Sequence, residues 1–98
     1  MTTFITRDEL LELRYHSEVL CEEDIDTNYS GRGMYGDTCL GIRLERATDM
    51  IDLGVAIGEC LADGAIRDEV VMALRDRAES DSLGLGTIIY WPRVKVEG

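Results

Sequence analysis

Proline, lysine, histidine, tryptophan and phenylalanine each occur once in this chain, and positive charge is scarce throughout. Ten basic residues face 20 acidic ones, which leaves a net charge of −10 over 98 residues. A field of that sign repels nucleic-acid backbones and anionic membranes over about 8 Å, the Debye length at physiological salt. Direct binding of DNA, RNA or a membrane surface is therefore disfavoured. Two uses of the acidity remain: a solubility-driven surface, or a docking face for a basic partner. Nine of the 10 basic residues are arginine, with Lys95 the exception. The bias as a whole reads as that of a GC-rich genome. A single arginine can still supply the planar two-pronged contact with carboxylate or phosphate that lysine cannot.

Other absences narrow the class further. No apolar run approaches the roughly 20 residues of a transmembrane helix, and Met1 to Asp8 has neither the basic nor the apolar segment of a signal peptide. Cys21, Cys39 and Cys60 are odd in number and widely spaced, with no CxxC, which suits a reducing compartment and not a disulfide framework. A cytoplasmic protein is expected. Catalytic sets are equally thin. Cys39 and His16 are the only nucleophile and base on offer, and a cysteine in an alternating strand is more often packing than thiolate. Their spacing matches no zinc ligand set. Asp24-Ile25-Asp26-Thr27-Asn28 opens like a calcium loop, but Tyr29 stands where glycine is required and Tyr35 where the bidentate glutamate belongs. Nothing selects a catalytic pair among the acids. The expectation is a protein with no catalytic residue, no metal and no cofactor.

The pattern that is present is that of one α+β domain spanning residues 1–98. Thr6-Arg7-Asp8-Glu9 is a capping box, opening a helix from Thr6 to about His16, with Phe4 or Ile5 as its hydrophobic staple. Whether that helix continues past His16 or gives way to a strand is open. Alternation predicts strands over Ile25–Tyr29 and Thr38–Leu44. A second helix starts near Thr48 and closes at Gly64, with Met50, Leu53, Ile57 and Leu61 as its inward stripe and Val55 and Cys60 widening it. Gly54 and Gly58 stand four apart on it, which predicts close packing of another element and burial on two sides. A third helix covers about Ile66–Ala78, and Ser80-Asp81-Ser82 reads as loop. Gly86–Trp91 is the clearest strand, ended by Pro92 or placed at an edge, and Val94-Lys95-Val96 adds a short last one. The order αββααβ(β) predicts a small antiparallel sheet packed by about three helices.

Tyr29-Ser30-Gly31-Arg32-Gly33-Met34-Tyr35-Gly36 is the segment most suggestive of function. Its glycines allow positive φ and close approach to the backbone. The spelling GxGxxG is satisfied, but the dinucleotide version must follow a strand and open a helix, and here a strand follows. A hairpin setting is closer to the glycine loop of protein kinases, whose other catalytic loops this chain lacks. What carries over is the physics of exposed amides at a tip that can cover an anion. Arg32 would add charge, and Tyr29 or Tyr35 a stacking face.

The same block, followed by Cys39 and Gly41, resembles one found in small uncharacterised proteins of bacteriophages and bacteria. The resemblance covers about a seventh of the chain and implies a phage or bacterial intracellular setting, the host cytoplasm if phage-encoded, without naming an activity. The expected function is non-enzymatic binding of a small anionic ligand such as a nucleotide by residues 29–36, in a phage accessory or anti-defence role. The alternative is an acidic inhibitor or DNA mimic acting on a basic host protein. A homodimer is also expected, from an apolar strand Gly86–Trp91 at a sheet edge and from the helical glycine pair.

Overall fold

Thr6 ends one element and starts the next. Its hydroxyl accepts the Glu9 amide at 3.1 Å, and the Glu9 carboxylate accepts the Thr6 amide at 2.9 Å. The computed structural model describes residues 2–97. In it helix α1 runs Arg7–His16 from this cap, with Leu10 and Leu13 buried. Ahead of the cap, Thr3–Thr6 forms strand β1, where the sequence suggested only a staple. After His16 the chain is irregular. The Ser17 hydroxyl accepts the amides of Val19 and Leu20 and donates to Asp52, which ties the end of α1 to the second helix. One 3-10 turn, Glu22–Asp24, then leads into β2, Ile25–Tyr29.

The remaining order is β3 (Cys39–Leu44), α2 (Ala47–Asp63), α3 (Asp68–Asp76), β4 (Glu79–Leu83), β5 (Gly86–Trp91) and β6 (Val94–Glu97). Four strands make an antiparallel sheet in the order β2-β3-β5-β4, while β1 and β6 pair in parallel as a separate ribbon. The small α+β class with three helices is as expected. Two corrections concern the strands. Residues 79–83 are an edge strand and not a loop, because their backbone pairs with β5 throughout. β5 itself is interior, bonded to β3 on one side and β4 on the other, so it offers no free edge.

The core lies between the sheet's inner face and the helices. Leu40, Ile42 and Leu44 of β3 and Ile89 and Trp91 of β5 pack with Leu53, Ala56, Ile57 and Cys60 of α2 and with Val70, Val71 and Leu74 of α3. Each such aliphatic side chain contributes about 1.5–3 kcal/mol when fully buried. The Trp91 ring is buried, and its Nε1 donates to the Leu74 carbonyl at 2.8 Å. Asp49 is a buried acid whose carboxylate accepts the amides of Glu45 and Arg46 at 3.2 and 3.1 Å, which caps α2. Gly64 closes α2 at φ 65°.

Helix α2 departs from expectation on its outer side. Leu53 and Ile57 are buried, but Met50 is 52 % and Val55 53 % exposed. A Cβ added at Gly54 or Gly58 would meet nothing within 4 Å. The helix is buried on one side, not two. Each glycine costs up to about 1 kcal/mol against alanine in a helix, and among the described residues no element uses the space they leave.

Candidate functional site

Residues 31–37 form two consecutive turns that share one residue. The Met34 amide donates to the Gly31 carbonyl at 3.1 Å, and the Asp37 amide donates to the Met34 carbonyl at 3.4 Å. Arg32-Gly33 and Tyr35-Gly36 hold the same central places in the two turns. Gly33 at φ 83° and Gly36 at φ 73° supply the positive φ that the third residue of a type II turn requires. The spacing of these two glycines is thus a repeated turn. It joins β2 to β3, which pair antiparallel as the hairpin reading expects.

The sheet's outer face anchors this double turn. The β2–β3 register shifts between Asp26 and Tyr29, so that Tyr29 pairs with Cys39. From there the Tyr29 side chain passes over Gly41 to donate its phenol proton to Asp81 of β4, at 2.5 Å. A Cβ at Gly41 would lie 2.8 Å from Tyr29 Cβ and Cγ. Tyr90 lies beside it, ring centroids 5.1 Å apart, and donates to Glu79 at 2.8 Å. Gly31 fits against the Tyr90 ring, where a Cβ would come within 2.3 Å of Cε2. Met34 covers Cys39, the two sulfurs 3.8 Å apart. The Ser30 hydroxyl donates to the Met34 carbonyl at 3.0 Å. Lys95 of β6 holds the far end, donating to Asp37 and, at 2.9 Å, to the Thr38 carbonyl.

Burial and then the Asp81 carboxylate raise the Tyr29 phenol well above its ordinary range. The Glu79 bond and then burial raise Tyr90 to about 12. Burial pushes the Cys39 thiol up to about 11, so it stays protonated at neutral pH and is no nucleophile there. His16 belongs to another cluster, with Nδ1 3.5 Å from Glu59 and Nε2 3.5 Å from Asp63 of α2. The only Cys–His pair considered from the sequence is therefore not assembled. Asp24 and Asp26, from the broken calcium pattern, are occupied by Arg43 at 3.5 Å and the Asn28 amide at 2.9 Å. Among the described residues no cluster of His, Cys, Asp and Glu is arranged to hold a metal, and no helix is long and apolar enough to cross a membrane.

The eight residues singled out from the sequence thus divide. Tyr29, Gly31 and Met34 turn inward and serve as the anchor. Ser30, Arg32, Gly33, Tyr35 and Gly36 are exposed, Tyr35 at 98 %. Arg14, Arg43, Arg46, Arg67 and Lys95 sit beside carboxylates. Arg32 makes no hydrogen bond or ion pair among the described residues, and the amides of Arg32, Gly33, Tyr35 and Gly36 find no protein acceptor there. A guanidinium, free amides and a bare aromatic ring are the groups that hold an anion and a flat ring. Sequence reasoning singled out Cys39 and Gly41 but not their packing role here, and it missed Glu79, Asp81, Tyr90 and Lys95 as supports of the turn. These six come from β3, β4 and β5 of the four-stranded sheet and, for Lys95, from β6 of the separate ribbon, so only the tertiary fold brings them together.

Cavities of about 360, 260, 340 and 380 Å³ lie elsewhere, and none of these four is lined by residues of the double turn. Exposed acids occur on all three helices and around the sheet, including Asp8, Glu12, Asp26, Glu59, Asp68, Glu79 and Glu97. Comparison with protein-family models, curated proteins and solved structures gives no match to this chain.

Proposed function

We propose that this chain is a non-enzymatic binding protein whose double turn grips the anionic part of a small ligand, with a nucleotide as the first choice of class. The observation that supports this reading is the anchored tip. Arg32 has no ion-pair partner among the described residues, whereas Arg14, Arg43, Arg46, Arg67 and Lys95 sit beside carboxylates, and it stands at the same turn position as the fully exposed Tyr35. Arg32 and the free amides would take phosphate, and Tyr35 would stack on the base. A phage protein of this kind, in the setting that the hairpin resemblance implies, would sequester a host signalling molecule. The spread of the acids favours this reading over a DNA mimic, which needs carboxylates in a row on one face. We also propose that the chain acts as a homodimer.

Isothermal titration with mono-, di- and cyclic nucleotides tests the ligand. We expect saturable heat from at least one, weakened about tenfold or more by Arg32→Ala or Tyr35→Ala. No heat across the panel sinks the nucleotide reading, and unchanged affinity in both variants moves the site away from the turn.

A further inference from the structure

We infer that the homodimer proposed above is built by the outer face of α2 packing antiparallel on the same face of a second copy. A surface helix normally turns apolar residues to the core and charge to solvent. In α2 the core side is Leu53, Ala56, Ile57 and Cys60. The side opposite, at helical spacing, is Ala47, Ile51, Gly54, Val55, Gly58 and Ala62. All six are exposed, Ile51 by 70 % and Val55 by 53 %, and none carries charge, in a chain where 31 % of residues do. Of the charges of this helix, Asp49 is buried and Asp52, Glu59 and Asp63 lie to one flank.

The pattern on that face commits it to a second copy. Its positions are symmetric about a point between Gly54 and Val55. When an identical helix is laid antiparallel across that point, Ile51 falls opposite the partner's Gly58, Val55 opposite the partner's Gly54, and Ala47 opposite the partner's Ala62. Every β-branched side chain meets a glycine, so knobs enter holes and the backbones approach closely. Two-fold symmetry makes each contact occur twice. This also gives Gly54 and Gly58 a use that the single chain does not, since a Cβ on either points into open space. Electrostatics separates a second copy from a basic partner. The flank places Asp52 and Glu59 of both copies near one another, so added salt should tighten this dimer by screening. Docking of a basic protein would weaken with salt.

The inference rests on the homodimer reading, and the two fail differently. Sedimentation equilibrium of the full chain from about 1 to 100 μM should return the mass of two chains, with a dissociation constant that falls as salt rises. Ile51→Glu should raise that constant at least about a hundredfold, and its exposed position leaves the fold intact. Gly58→Leu is the sharper variant. It fills open space in the single chain and improves helix propensity, so the melting temperature measured where the chain is monomeric should not drop. The same change blocks the hole for Ile51 and should abolish the dimer. A wild-type mass of one chain throughout overturns both the dimer and its interface. A wild-type dimer that survives Ile51→Glu and Gly58→Leu overturns the interface alone, and so does a dimer that loosens with salt.

Discussion

Gly41 and Tyr29 are closely fitted to each other, a Cβ at 41 falling 2.8 Å from the Tyr29 side chain. The strand residue gives up its side chain so that the ring can lie across it and reach Asp81. Gly41→Ala should therefore cost about 1–3 kcal/mol, the usual size of overpacking. The midpoint and slope of urea unfolding measure it. Gly33→Ala should cost less, because open space surrounds that position and only its φ of 83° is unfavourable. If the two substitutions cost the same, the Tyr29 contact is not what selects glycine at 41. None of this is visible in the sequence, where Gly41 is one glycine inside an alternating strand. Its reason is a ring from a neighbouring strand and a carboxylate 52 residues from that ring.

Strand β4 shows why some elements are legible and others are not. α1 announces itself because Thr6 and Glu9 are three residues apart, and α2 ends visibly at Gly64. Glu79-Ser80-Asp81-Ser82-Leu83 has almost no strand propensity, and its neighbours make it a strand. Backbone pairing with β5 and the phenols of Tyr90 and Tyr29 on Glu79 and Asp81 hold it in place. The outer face of α2 misled for a different reason. With apolar residues on both its inner and its outer side, helical periodicity alone cannot say which stripe meets the core. The phenol bonds have a consequence for pH. Folding raises both phenols above the ordinary value of about 10, Tyr90 to about 12, so the folded state holds these protons more tightly. The stability they supply is complete below about pH 10 and drains away as pH rises through about 12. Cys39 and Cys60, both raised by burial to about 11, act with the same sign from about pH 9 upward. Urea midpoints at pH 8, 9.5 and 11 should fall across the last interval. Tyr90→Phe should be less stable at pH 8 yet lose less between 9.5 and 11. An equal loss in that variant would show that Tyr90 is not a source of the decline.

At the scale of the whole molecule, the ribbon of β1 and β6 sets the order in which the chain folds. Thr3 pairs with Val94 and Thr6 with Glu97, the widest sequence separations in the molecule. The β3–β5 pairing spans less, and the β4–β5 hairpin is local. Contacts between distant residues form only after a large loss of chain entropy, and they slow the search for the native state. On a ribosome the first strand must therefore wait, unpaired, until the last has emerged. The four-stranded sheet and its helices should be largely in place at the folding transition state, with the ribbon closing after it. Val94→Ala, at a buried ribbon position, should then speed unfolding nearly in full proportion to the stability it removes and leave the folding rate almost untouched. Stopped-flow chevrons of the two proteins decide this: a folding limb slowed as much as the equilibrium is shifted would mean that the ends of the chain meet first.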